Sequence, residues 1–216
     1  MIESLTEDKQ KISIKDKIIS FYKSNKILVI AILLIPVIAL LSTGFYFKKI
    51  ETKREYIAER FLEAKINLNN GNKEAAKNIL NEIIYSNEKT YSPLSLFLII
   101  NENLFQNNQE LIDLFDHILN NNKMESEIRN LIIFKKSLIY SDFSDEANLL
   151  KNLSPLIKED SYWKPHALLL LGDYFVSKGE FLKAKEMYIK IFSVKNLSSD
   201  FNRAVQLRLT SIISND

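Results

Sequence analysis

The most distinctive pattern along the chain is an apolar run without a charge, ILVIAILLIPVIALLSTGFYF, twenty-one residues from Ile27 to Phe47. At about 1.5 Å of rise per residue, a helix of that length matches a hydrocarbon core of about 30 Å. Lys23 and Lys26 precede the run, Lys48 and Lys49 follow it, and the pairs Phe21/Tyr22 and Phe45/Tyr46 stand where aromatic belts form. Pro36 lies mid-run and predicts no more than a kink. A buried core helix is rarely apolar all round over this length. A signal peptide has a shorter apolar stretch, about 7 to 15 residues, although Ser42-Thr43-Gly44 offers a small-x-small cleavage site. The pattern therefore predicts a retained single transmembrane helix over 27–47. Ahead of it, residues 1–26 form a charged segment in which Ser13-x-x-Asp16 opens a short amphipathic helix. Ile14, Ile18, Ile19 and Phe21 would lie along the membrane surface, and a plain solvated tail fits the same residues.

From residue 48 onward the apolar period changes to that of amphipathic helices separated by short breaks. Four breaks contain Asn or Gly: Asn69-Asn70-Gly71, Asn107-Asn108, Asn120-Asn121-Asn122 and Lys178-Gly179. Gly, and less readily Asn, accepts the left-handed conformation that ends a helix, so each break reads as a C-cap. Nine helices result, over 55–68, 73–85, 93–105, 109–119, 125–140, 144–157, 162–177, 180–192 and 199–213. Only four glycines and four prolines occur in 216 residues, which leaves too little turn chemistry for a sheet-rich fold. The expected fold class is all-α.

Composition narrows the chemistry. No cysteine is present, which removes disulfides, thiolate metal sites and thiol catalysis. Of 29 basic and 27 acidic residues, six lysines and four acids precede residue 48, so the remainder carries 23 of each. A neutral domain lacks the positive excess by which nucleic-acid binders displace counterions. Basic residues also tie across the apolar run, Lys9 to Lys26 on one side and Lys48 to Lys65 on the other, so the positive-inside rule assigns no orientation.

The segment HALLLLGDYFVSKGEFLKAKEMYIKIF places Leu171-Gly172, Phe175, Gly179, Ala184 and Tyr188 at the spacing L-G-x-x-aromatic, Gly, Ala, aromatic. It resembles a tetratricopeptide repeat, in which small residues at the helix crossing set how closely two antiparallel helices approach. Ala64, Gly71, Ala76 and Leu80 repeat the theme, with Asn67 where an aromatic is expected. Leu111 and Ala147 take the crossing position in two degenerate hairpins, so Ala76, Leu111, Ala147 and Ala184 recur at 35, 36 and 37 residues, near the 34 of the repeat. Residues 48–216 are thus expected to form about four hairpins and a terminal helix, a self-sufficient solenoid.

A charged N-terminal segment, one span and degenerate tetratricopeptide hairpins together resemble the bacterial ancillary subunit of the SecYEG translocon. That resemblance implies an inner-membrane protein with a cytoplasmic N-terminus and a periplasmic repeat domain. It also implies association with SecYEG, with periplasmic chaperones and with newly exported clients, the lipid bilayer being engaged through 27–47.

Catalytic and cofactor signals are absent from the sequence. His117 and His166 are the only histidines and fall in different hairpins, no serine lies in G-x-S-x-G, and no phosphate-binding glycine loop occurs. Asp113/Asp116 and Glu159/Asp160 read as solvated acids. No enzyme, cofactor, metal, nucleic acid or small-molecule substrate is expected. Tyr162, Trp163, Tyr174, Phe175, Tyr188 and Phe192 crowd the last hairpin, where helical spacing makes them core first. Trp163, Tyr174 and Tyr188 are the candidates for a peptide-binding groove, Trp163 foremost because it need not complete a hairpin core. A groove for a peptide carboxylate would need a ring of Lys and Asn, and linear order displays none. The function expected is a membrane-anchored protein interaction module assisting handover at the translocon. A structural scaffold for envelope assembly or division and a cytoplasm-facing membrane adaptor are the alternatives.

Overall fold

The computed structural model describes residues 19, 21–143, 145–158 and 161–213; within these, the side chains of Leu28, Val29, Ile30, Ile32, Leu33, Val37 and Ile213 lie outside the described set. The capping box at Ser13 and Asp16, the apolar positions Ile14 and Ile18, the helix start at Ser144 and the acids Glu159 and Asp160 also lie outside the described residues. Among the described residues the chain is helices and turns with no strand, an all-α fold. The helices are α1 Lys26–Asn69, α2 Lys73–Tyr85, α3 Tyr91–Asn101, α4 Asn108–Asn121, α5 Ser126–Phe143, α6 Glu146–Lys158, α7 Lys164–Ser177, α8 Phe181–Ile191 and α9 Ser199–Ile213.

The longest helix joins two segments that the sequence pattern separates. Residues 48–54, KKIETKR, contain neither Gly nor Pro, so nothing interrupts the backbone between the apolar run and the first amphipathic stretch, and α1 continues for 44 residues with Pro36 inside it. Among the described residues no helix is long and apolar enough to cross a membrane. Six side chains of the 27–47 run, Leu28, Val29, Ile30, Ile32, Leu33 and Val37, fall outside that description. Two compact units divide at Glu55 and Tyr56.

In the second unit, each helix from α2 onward packs on its neighbours in sequence, most extensively α7 on α8, α2 on α3 and α5 on α6. Short connections between packed helices make these hairpins. Three helix ends share one turn geometry. Gly71 (φ 79°), Asn103 (φ 57°) and Gly179 (φ 74°) take the left-handed conformation, and the next amide reaches back five residues. Those bonds run Asn72 N to Asn67 O at 2.8 Å, Leu104 N to Ile99 O at 2.9 Å and Glu180 N to Phe175 O at 2.9 Å. They close α1, α3 and α7.

The polar breaks do not all act as stops. Asn107 has extended backbone and its side chain accepts from Glu110 N at 2.9 Å, so it starts α4. Asn122 is also extended, and its Nδ2 donates to Glu88 O at 3.2 Å. Among the described residues, Asn87 and Asn196 are also left-handed.

Among the described residues, most buried apolar side chains fall in two clusters. One runs from Ile57 and Ala64 through Leu80, Leu96, Phe115 and Ile118 to Ile132. The other runs from Ile133 through Leu149, Leu153, Leu171, Phe175 and Tyr188 to Ile212. They part between adjacent residues of α5, which a helix points about 100° apart. On the same helix Lys136 is buried and reaches Asp116 Oδ1 of α4 at 2.5 Å.

Candidate functional site

The repeat-packing candidates are placed unevenly. Ala64, Ala76 and Ala184 retain no exposed surface. Gly172 lies against Tyr188 so closely that a Cβ would fall within its ring. Gly71 and Gly179 end helices as described. Ala147, by contrast, is exposed. Ala76, Leu111, Leu149 and Ala184 each stand three residues after their helix begins, at Lys73, Asn108, Glu146 and Phe181, and each is buried. Leu149 therefore occupies the crossing register that the spacing assigns to Ala147. The cause is a helix start set by Asp145, whose Oδ1 accepts from Asn148 N at 2.8 Å.

Two of the groove candidates are core. Tyr174 and Tyr188 are buried, and Tyr188 Oη donates to Asp173 Oδ1 at 2.6 Å while Arg208 Nε donates to the same oxygen at 2.9 Å. Burial first, and then that bond to Asp173, hold the Tyr188 hydroxyl protonated, far above the usual phenol range. The trio ties α7, α8 and α9 together.

Trp163 is half-buried at the N-cap of α7, and its Nε1 donates to Glu127 Oε2 of α5 at 3.1 Å. Its ring lies 5.4 Å from Phe134, 5.6 Å from Tyr162 and 5.8 Å from His166. His166 in turn packs edge-on to Phe201 of α9 at 5.1 Å. Burial among these rings lowers the His166 pKa below its ordinary value of 6.5, so the imidazole is neutral at pH 7.

Beside this cluster opens a cavity of about 640 Å³. One wall is the entry to α7, with Tyr162, Lys164 and His166; the other is the 193–198 loop, with Lys195, Asn196 and Leu197, closed by Phe201. Asn196 holds φ at 60°, which shapes that loop. The structure thus brings to one place lysines and an asparagine that lie some thirty residues apart in the chain. Lys164, Lys195 and Phe201 are site residues that the linear pattern did not single out, and His166 enters it only as an isolated histidine. The one signal nearby is Tyr162-Trp163-x-x-His166, whose rings gather where the chain enters α7.

A second, smaller cleft of about 370 Å³ lies between α2 and α4, lined by Asn81, Tyr85, Asn107, Gln109, Glu110 and Asp113 among others. The Oδ1 of Asn81 is buried there without a hydrogen-bond partner. Its two acids already have local partners, since Glu110 pairs with Lys77 at 2.8 Å and Asp113 accepts from Gln109 at 2.8 Å. No family model matches the chain, and no curated protein or solved structure matches it significantly.

Proposed function

We propose that this chain is a membrane-anchored protein–protein interaction module, with residues 27–47 as its span and its packed hairpins as a tetratricopeptide-like domain. In its specific form it is an ancillary subunit beside SecYEG that helps exported proteins reach periplasmic chaperones. The observation that carries the anchor is twenty-one uncharged residues within one uninterrupted helix, Lys26–Asn69. The three matching helix ends and the buried position that recurs in α2, α4, α6 and α8 support the repeat reading of the second unit.

Tethering supplies the mechanism. Confinement beside a membrane machine raises effective concentration to the millimolar range for short linkers, so a weak grip on a client suffices. Handover also requires weak contacts, because a tightly held client would not leave.

Three measurements on the full-length chain in bacterial membranes test the proposal. The protein should resist alkaline carbonate extraction, and a C-terminal reporter that is active only after export should be active. Crosslinking in the same cells should then capture SecYEG subunits. Release by carbonate removes the anchor, an inactive reporter points to a cytoplasm-facing adaptor, and a fixed stoichiometric partner without SecYEG points to an envelope scaffold.

A further inference from the structure

Two exposed apolar stripes of the second unit, one on α1 and one on α8, carry charges that complement each other. We propose that they bind between copies, so that α1 of one chain docks in parallel on α8 of the next. The inference goes beyond the handover role above and does not depend on it.

On α1 the core takes Ile57, Phe61, Ala64 and Leu68, which leaves Leu62 and Ile66 on the outer face, 57% and 51% exposed. On α8 the core takes Ala184, Tyr188 and Ile191, which leaves Leu182 and Ile189 outside, 82% and 50% exposed, with Phe192 beside them. A single exposed leucine is ordinary. Here each helix sets two large aliphatic side chains on one outward face, four residues apart on α1 and seven on α8. Because both stripes are exposed, neither covers the other within one chain.

Charge identifies the occupant. Glu59 and Glu63 flank the α1 stripe, and Arg60 divides its guanidinium between Glu63 at 2.5 Å and Glu82 at 2.7 Å. Glu59 makes no ion pair among the described residues, so this flank keeps an excess of negative charge. Lys185 flanks the α8 stripe and likewise makes no ion pair among those residues, whereas Lys183 and Lys190 are neutralised by Glu146, Glu180 and Glu186. The α1 stripe is therefore complementary to an apolar stripe edged by a cation, and the α8 stripe to one edged by anions. One chain carries both complements, so a second copy satisfies each of them.

The order of the charges sets the direction of docking. At about 100° per residue, Glu59 and Glu63 lie on one flank of the Leu62/Ile66 stripe and Lys65 on the other. In the same sense around α8, Glu186 lies on one flank of Leu182/Ile189 and Lys185 on the other. Parallel helices bring opposite flanks together, as the e and g positions of a parallel coiled coil do, so Glu59 and Glu63 meet Lys185. Antiparallel docking would set Lys65 against Lys185. Glu186 is already paired with Lys190, which leaves the Lys185 edge to carry the selectivity. Because the two docked surfaces differ, each added copy leaves one of each kind free, and association builds a row or a ring.

The chain has no cysteine, so introduced thiols are the only ones present. Full-length Ile66→Cys and Ile189→Cys chains are reconstituted together in phosphatidylcholine liposomes and treated with a short bismaleimide. The mixture should give a crosslinked dimer, each variant alone should give little, and a chain carrying both cysteines should give a ladder of higher oligomers. Glu59→Lys on the Ile66→Cys chain, or Lys185→Glu on the Ile189→Cys chain, should lower the yield roughly three- to tenfold, as when exposed charge pairs turn from attraction to repulsion. Both reversals together should restore it. All four positions are exposed, so melting should not change. No dimer from the mixture, an equal yield from either variant alone, or a double reversal that crosslinks no better than the single ones overturns the proposal. So does an unchanged yield when the exposed Ala147→Cys replaces Ile66→Cys. A thiol at 66 or 189 that a water-soluble maleimide fails to reach at every protein-to-lipid ratio is covered by the bilayer, which also overturns it. Carbonate extraction, the C-terminal reporter and the SecYEG crosslink do not depend on this contact, so failure here and failure of the anchored-module reading are separately visible.

Discussion

At Gly172 a single methyl group decides how closely α7 and α8 approach, because it would fall within the ring of Tyr188. Gly172→Ala should destabilise the fold by about 1–3 kcal/mol, the usual cost of overpacking, and denaturant midpoints read it directly. Glu110 is a second informative residue. Burial alone would raise its pKa, but the hydrogen bond from Gln106 N at 2.7 Å and the ammonium of Lys77 outweigh it and leave the carboxyl below its ordinary value of 4.5. A depressed carboxyl contributes stability that is present above 4.5 and lost as pH falls through the folded-state value. Glu110→Gln leaves the buried Lys77 uncompensated, which costs toward the low end of about 3–5 kcal/mol because Glu110 keeps 26% of its side chain exposed. Lys77→Met should cost less, and a smaller loss for the glutamine variant would contradict the argument. His166 works in the opposite direction. Its folded pKa lies below 6.5, so the unfolded chain binds the proton more readily, and stability falls as pH drops below 6.5. Around it stand Tyr162, Lys164 and Lys195, with no carboxylate lining the cavity among the described residues to favour the charged form. Melting temperatures of wild type and His166→Phe between pH 7 and pH 5 should diverge, the wild type losing more.

The register of α6 is the element-scale difference between spacing and structure. A count of intervals assigns the crossing to Ala147, whereas the Asp145 cap starts the helix so that Leu149, Leu153 and Leu156 face inward. Leu149→Ala should cost about 2–5 kcal/mol, while Ala147→Ser should stay within about 0.5 kcal/mol, and reversed magnitudes would restore the spacing-based register. Helix existence and order were legible because 3.6-residue periodicity is local; boundaries at polar breaks were less so, because Asn serves starts and stops alike. Asn107 opens α4 through its side chain, while Asn103, four residues earlier, closes α3 through its backbone, and composition does not distinguish the two roles.

For the packed unit as a whole, the two apolar clusters that part within α5 have an energetic consequence. Residues that share no cluster share few contacts, so opening one half leaves much of the other protected. Hydrogen exchange on Leu149→Ala should accelerate α6 to α9 well beyond α2 and α3, whereas uniform acceleration would indicate one cooperative core. Tyr188 belongs to the second cluster, and its bond to Asp173, which also accepts from the more exposed Arg208, ties α7, α8 and α9 together at the edge of that cluster.

The sequence by itself determined the features that depend on neighbours along the chain. Helical class follows from periodicity and scarce turn residues, and the uncharged length of 27–47 is a property of consecutive residues. Gly71 and Gly179 end helices because a positive φ is a local demand that glycine meets without strain. Only the tertiary structure decided what distant segments do to one another. It buried Tyr174 and Tyr188, exposed Ala147, and set Lys164 and His166 across a cavity from Lys195 and Phe201. Such meetings depend on how α7, α8 and α9 pack, and packing is decided by side chains from several helices at once, which no linear spacing encodes.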